Sequence, residues 1–366
     1  MTHFGKRTEK KQQYLNRNLF ITKMIRKAIP VFIFILILTT ILAGCSSNTS
    51  DSDKLPVKAL ILPAFEVEKM AGDFPGEAQY YYEEYLMGCD EYEIEGSSGD
   101  GTLYYKDGIA LFLLGEGKVS AALNTSAVLS DERFDFSDAY IFSTGCAGSA
   151  EGYGIMGDVY VITAAVDYDL GHQADPREMT EDSETTWFHD EGYDATSSVV
   201  LNKELTDRVY DMVKDVPLET TDLTKDYLEQ AYPGEEWANR QPQVLRGTSV
   251  TGDNFWKGIY GHANALLITE TYGCPDPYAI TDMEDIAVCE AAESFGMLDR
   301  LIIVRDSVNM DVFAIGMTPE KLWGGETDDD LASDDSEESF DIFATSMKNN
   351  FEVGKIVIEA ILNDKL

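Results

Sequence analysis

Two short stretches of this chain put polar side chains where chemistry needs them. The first, Thr281-Asp282-Met283-Glu284-Asp285-Ile286-Ala287, sets a Met-Glu pair at the opening of a helix. The second, Leu301-Ile302-Ile303-Val304-Arg305-Asp306-Ser307-Val308-Asn309, is an apolar run that turns polar toward its carboxyl end. In open α/β sheets ligands bind at that end of the strands. A carboxylate at a helix start can accept two hydroxyls of a sugar. An amide at a strand tip can hydrogen-bond a heteroaromatic base. The same carboxylate also suits a plain structural role, complementing the helix dipole, so the rest of the chain has to weigh in.

The elements that must position these groups alternate along the sequence. Strand-like runs fall at Val57–Leu62, Ile109–Leu114, Tyr140–Ser143, Val159–Ala165, Gln243–Thr248 and Leu301–Arg305. Helical stretches fall at Gly76–Leu86, Lys118–Leu129, Lys203–Lys214, Asp282–Phe295 and about Phe340–Leu362. Such alternation predicts an α/β fold with a mainly parallel sheet and helices on its faces. Several strand ends carry polar or glycine punctuation: Phe65 to Glu68, Gly115-Glu116-Gly117-Lys118, Thr144-Gly145-Cys146-Ala147-Gly148, and Thr251-Gly252-Asp253-Asn254-Phe255-Trp256. Glycines there let backbone approach a ligand closely. Gly-Glu-Gly-Lys is neither a Walker loop nor a complete GxGxxG fingerprint. The irregular stretch His172–Ser197, with Trp187 and His189, is long for a loop within a domain, which suggests a functional or disordered segment.

The amino terminus reads as an export signal. Lys23, Arg26 and Lys27 precede the apolar run Ala28–Leu42, and Leu42-Ala43-Gly44-Cys45 follows. The run is shorter than the roughly 20 apolar residues of a spanning helix. Its ending resembles a bacterial lipobox, which implies a lipid on Cys45 and cleavage before it; an uncleaved anchor is the alternative. The expected organisation is a signal over 1–44, a lipidated tether over 45–54, and one domain over 55–366. Met24 opens a compact signal of its own, which leaves residues 1–23 open as a spurious extension. The expected location is extracytoplasmic, on the membrane.

The whole chain carries a formal charge of −38. Without residues 1–44 it keeps 20 basic and 65 acidic residues, a charge of −45. Such a surface repels nucleic acid. The densest acidic run, Glu326–Glu338, reads as a solvated loop. Besides Cys45 there are Cys89, Cys146, Cys274 and Cys289, with no CxxC, so no metal site is expected. In an exported chain Cys89–Cys274 is the first disulfide candidate. No cofactor is expected.

Three further runs carry a resemblance: Pro75-Gly76-Glu77-Ala78-Gln79-Tyr80-Tyr81-Tyr82-Glu83-Glu84-Tyr85-Leu86, Phe134-Asp135-Phe136-Ser137, and Ala165-Val166-Asp167-Tyr168-Asp169-Leu170-Gly171-His172. With the strand ends above, they resemble the purine nucleoside permease family over roughly Val57–Asp311. Through that family the chain resembles the nucleoside phosphorylase superfamily, including the methylthioadenosine/adenosylhomocysteine nucleosidase. The resemblance implies a phosphorylase/hydrolase-like fold, a central twisted mixed sheet in a three-layer α/β/α arrangement, and not a membrane channel. It also implies site residues. The general-base Glu falls on Glu68, and Phe65 lies beside it. The ligand-facing Gly-Ser falls on Gly145 and Cys146, the base-stacking Phe on Phe255, and the ribose-binding Met-Glu on Met283 and Glu284. The catalytic Asp falls on Asn309. Cys146 in place of Ser loses a good donor. Asn309 in place of Asp cannot donate a proton as an acid, although Asp306 and Asp311 stand nearby. The positions of phosphate-binding Arg in the hexameric phosphorylases fall on Glu68 or its neighbours and on Ser143.

These residue types suit N-glycosidic cleavage. A carboxylate near the sugar stabilises an oxocarbenium-like cation, a role for Glu284. A second activates water, a role for Glu68. Asn309 can hold purine N7 only by hydrogen bonding, and Phe255 offers an aromatic face. The leading expectation is a lipid-anchored, extracytoplasmic purine nucleoside-binding protein with nucleosidase-type chemistry, taking inosine, guanosine or adenosine. The alternatives are a non-catalytic binding component serving a transporter partner, and a phosphorolytic enzyme. A homo-oligomer stays open.

Overall fold

The computed structural model describes residues 54–180, 182–183, 185–323 and 337–366. The signal-like run, Cys45, and residues 326–336 of the acidic run lie outside the described residues. Among those described, ten strands make the main sheet: β1 (Ala59–Leu62), β2 (Asp90–Glu93), β3 (Thr102–Lys106), β4 (Ile109–Phe112), β5 (Tyr140–Ser149), β6 (Val159–Asp167), β7 (Ser198–Val200), β8 (Val244–Thr251), β9 (Tyr278–Asp282) and β10 (Leu301–Met310). Their order is β7-β6-β8-β9-β5-β1-β4-β3-β2, with β10 paired to both β5 and β6. The β4-β1-β5-β10 run is parallel, as is β6-β8-β9. The β9–β5, β10–β6, β7–β6 and β2-β3-β4 pairings are antiparallel. The sheet is therefore mixed, and β5-β10-β6-β8-β9 closes into a five-stranded ring at one end.

The packing follows from the sequence. The runs Ala59–Leu62 and Leu301–Val304 are apolar at every position, the mark of strands buried on both faces. Alternate residues feed two cores. Leu60, Leu62, Ile141, Leu301 and Ile303 face helices α2 (Lys118–Leu129) and α6 (Asp285–Ser294). Ala59, Ile61, Phe142, Ile302 and Val304 face α1 (Gln79–Tyr81, continued by a π-turn over Tyr82–Leu86), α3 (Lys203–Val213) and α8 (Glu337–Leu362). The result is the expected three-layer α/β/α arrangement. Between these helices come α4 (Asp222–Ala231), α5 (Ile259–Thr271) and α7 (Pro319–Trp323).

Several elements differ from the sequence reading. The strands expected at 140–143 and 301–305 each run for ten residues, because β5 and β10 pair along their whole length in the ring. Thr144–Gly148 therefore lies inside β5 and is not a turn. The helix expected from Asp282 starts at Asp285, because Asp282 ends β9 and its carboxylate accepts the N–H groups of Glu284 and Asp285 at 2.8 and 2.6 Å. The hairpin β2–β3, helix α4, helix α5 and strand β9 were not anticipated. Cys89 and Cys274 are free thiols and not a disulfide. They pack against different hydrophobic clusters.

Candidate functional site

The carboxyl ends of β1, β8, β9 and β10 converge with the middle of β5 on a cavity of about 350 Å³. Ala64 and Phe65 follow β1, Asn254, Phe255 and Trp256 follow β8, and Thr281–Glu284 lead from β9 into α6. Cys146, Ala147 and Gly148 come from β5, Val308 and Asn309 from β10, and Glu77 and Glu116 from the turns before α1 and α2. Strict strand alternation would send Val308 and Asn309 to opposite faces. The register slips between Ser307 and Asn309, however, so Val308 is an extra residue against β5. Such a bulge re-aims side chains, and both residues reach the cavity.

Glu284 is 4% exposed. Its Oε1 accepts the Gly117 N–H at 2.9 Å, and its Oε2 lies 3.4 Å from Arg305 Nη2. Burial holds its pKa up at about 8; Arg305 pulls down, while Asp282 and Glu77 push up. Asp285, also buried, is raised to about 7. Arg305 is fully buried and donates from Nε and Nη2 to Asp285 Oδ1 at 3.0 and 2.8 Å. Burial works against its charge, but Asp285, Asp282 and Glu284 outweigh that and keep it protonated. Asp282 completes the base of the site by accepting the Ser249 and Thr251 hydroxyls at 2.6 and 2.8 Å. One guanidinium thus pairs with Asp285, with Asp282, which accepts the Glu284 N–H, and with Glu284 itself.

Glu77 is the second buried carboxylate at the cavity. It accepts the Ala64 N–H at 2.6 Å and the Cys146 N–H at 2.8 Å. Burial raises its pKa, against the opposing charge of Arg305. Gly145, just behind the wall, has φ +147°, and a Cβ there would come within 2.4 Å of the Glu77 carboxylate. Gly148 serves Asn309 in the same way, since a Cβ would meet Asn309 Oδ1 at 2.7 Å. The Cys146 thiol is pushed up first by burial and then by Glu77, which disfavours a thiolate.

Phe65, Cys146, Phe255, Met283, Glu284 and Asn309 therefore share one cavity, and Gly145 shapes it from behind. Glu68 does not line it. Glu66 accepts the Val67 and Ala78 N–H groups at 2.9 and 3.1 Å, which folds the chain back and leaves Val67–Lys69 exposed. The carboxylate brought to that part of the cavity is Glu77. In the sequence it stands as a Gly-Glu pair at the head of a helix, within the Pro75–Leu86 run that carries the family resemblance but gives it no role. Arg305 was also missed, although a guanidinium inside an apolar strand demands buried partners. Asp306 and Asp311 do not line the cavity. Asp311 is taken up by the Glu151 N–H, the His262 ring and the Tyr278 hydroxyl at 2.9, 2.7 and 2.8 Å. His172 and His189 pair with Asp190 and Asp194 away from the cavity, at 3.2 and 2.6 Å.

The family model for purine nucleoside permease (NUP) matches residues 56–365. The chain belongs to the purine nucleoside permease family. It is 28% identical over 225 residues to the "Probable purine nucleoside permease" of Schizosaccharomyces pombe, across 54% of this chain and 63% of that one. It is 25% identical over 213 residues to the purine nucleoside permease of Candida albicans, across 52% and 51%. The chain thus spans less than two thirds of these permeases. Two 5′-methylthioadenosine/S-adenosylhomocysteine nucleosidase structures are similar at the level of backbone. That from Neisseria meningitidis aligns at TM-score 0.47 and 16% identity, covering 83% of this chain and 100% of the other. That from Colwellia psychrerythraea, in complex with adenine, aligns at 0.48 and 17%, covering 84% and 97%. No helix among the described residues of this permease-family chain is long and apolar enough to cross a membrane.

Proposed function

We propose that the cavity binds a purine nucleoside and that its residues suit hydrolysis of the N-glycosidic bond. The observation that carries this reading is the meeting of Glu284, Asn309 and Phe255 on one cavity, although they come from three separate strand ends. Glu284 grips the sugar hydroxyls and stabilises positive charge on the ring. The amide of Asn309, which has no hydrogen bond to another described side chain, meets the base. Phe255 and Trp256 supply its aromatic wall. Glu77 takes the water-holding role expected of Glu68.

Water suits the site better than phosphate as acceptor. Among the described residues no Lys or Arg lines the cavity, whereas Glu77, Glu116, Asp282 and Glu284 do. The free N–H groups opening α2, a natural anion site, are taken by Glu284 through Gly117 and by Asp253 through Lys118. A non-catalytic binding role in nucleoside transport is the second reading. It is favoured by the amide at Asn309, which cannot protonate a departing base. In both readings the chain works outside the cytoplasm, held to the membrane through Cys45, alone or beside a transporter partner.

The test is to incubate the full chain with inosine, guanosine and adenosine, with and without phosphate, and to follow free base by chromatography. Base released without phosphate, and lost in Glu284→Ala, supports hydrolysis. Nucleoside-dependent thermal stabilisation without release supports the binding role. Release only with phosphate overturns the acceptor argument.

A further inference from the structure

Lys118 opens α2 one residue after Gly117, whose N–H holds Glu284. Its side chain is 16% exposed, and the ammonium reaches Asp167 at 2.8 and 3.0 Å and Asp169 at 2.8 Å. Its backbone N–H donates to Asp253 Oδ1 at 2.7 Å, and the Asp253 N–H donates to Asp169 Oδ2 at 2.8 Å. Between the two aspartates, Tyr168 stacks on Trp256 with centroids 4.9 Å apart and planes 16° apart. The ammonium thus pairs with Asp167 and Asp169, while Asp253 is tied to the same turn through the Lys118 backbone N–H and to Asp169 through its own N–H. The loop that follows Asp253 carries Phe255 and Trp256, the aromatic wall of the cavity.

We infer that Lys118 is a positioning residue that sets the aromatic wall in register with Glu284. One end of the same turn holds the sugar-facing carboxylate, and the other holds the base-facing loop. Without the ammonium, Asp167 and Asp169 repel one another at short range, and Asp169 is the group that holds the Asp253 N–H. The loop then moves off Tyr168, and wall and carboxylate no longer meet a ligand together. Misplacement of about 1 Å is enough to cost on the order of a hundredfold in function. This inference rests on the nucleoside reading only for its ligand arm. The latch itself can be read without ligand.

The experiment compares the full chain with Lys118→Met and Lys118→Arg. Hydrogen exchange is measured over residues 252–258 without ligand, and inosine affinity is measured separately. The expected result is loss of protection in Lys118→Met confined to that loop and the turn it contacts. Affinity falls by roughly tenfold or more, and Lys118→Arg restores both. Unchanged protection at 252–258 overturns the inference. So does an even loss of protection across the chain, which would make Lys118 a general stability residue. If the wild-type chain binds none of inosine, guanosine and adenosine, the nucleoside reading fails, and the exchange result alone still decides the latch.

Discussion

In the proposed reading Glu284 carries the heaviest chemical demand, and its protonation sets a testable sign. Burial, reinforced by Asp282 and Glu77, holds it at about 8, and Asp285 lies at about 7. A raised carboxylate pKa means that the folded chain holds protons that the unfolded chain has released. Stability is therefore greatest near the ordinary carboxylate range and falls as pH rises toward about 8. Melts across that range should show this fall, with a shallower one in Glu284→Gln; equal slopes would refute it. Affinity should move the other way, because sugar hydroxyls donate to the ionised form, so nucleoside binding strengthens as pH rises through about 8. A second prediction concerns Gly145. Gly145→Ala places a methyl against the Glu77 carboxylate at a positive φ and should destabilise the chain by about 2 kcal/mol. Glu77→Ala in the same chain should recover part of that in a denaturant melt, and strict additivity would contradict the contact. At this scale Met283 and Glu284 were legible as cavity residues because they open a helix, and Phe255 and Asn309 because they follow or end an apolar strand. Glu77 was not, because it reaches the cavity only through the fold-back at Glu66. Arg305 was hidden by the apolar strand around it.

Among elements, β10 does the most to build the site. Its slip at Val308 brings Asn309 to the cavity together with its neighbour. Asn309→Ala keeps the bulge and removes the amide that it presents to the cavity. The expected outcome is a fold retained by far-UV circular dichroism with nucleoside affinity reduced by roughly tenfold or more. Full affinity would mean that Asn309 makes no contact that matters. The alternation of strands and helices was readable because apolar runs and helix-starting turns such as Gly115–Lys118 are local signals. The ring closure was not. It depends on β10 pairing with β6 at Val304–Asp306, a long-range contact that no local pattern encodes. The lengths of β5 and β10 were underestimated for the same reason, since Thr144–Gly148 looks like a turn until its partner strand is known.

The whole molecule is strongly acidic, with a formal charge of −38 and a sequence pI near 4.2. Arg305 pairs with Asp282, Glu284 and Asp285 beneath the cavity, and Lys118 with Asp167 and Asp169. Among the described residues the cavity wall itself carries no Lys or Arg. The proposed membrane attachment through Cys45 makes a separate prediction. Cys45→Ser should abolish incorporation of labelled fatty acid and release the chain from the membrane fraction, and unchanged labelling would rule out a lipid at that residue.

The central claim is that Glu284 grips the sugar of a nucleoside in this cavity. Calorimetric titration with inosine and with 2′,3′-dideoxyinosine, on wild type and Glu284→Ala, tests it most directly. Hydrogen bonds to a charged group contribute about 1.5–3 kcal/mol. Wild type should therefore bind inosine on the order of ten- to a hundredfold more tightly than the dideoxy analogue, and the two ligands should bind Glu284→Ala alike. Equal affinities in the wild type, or a preference that survives in Glu284→Ala, would contradict the account.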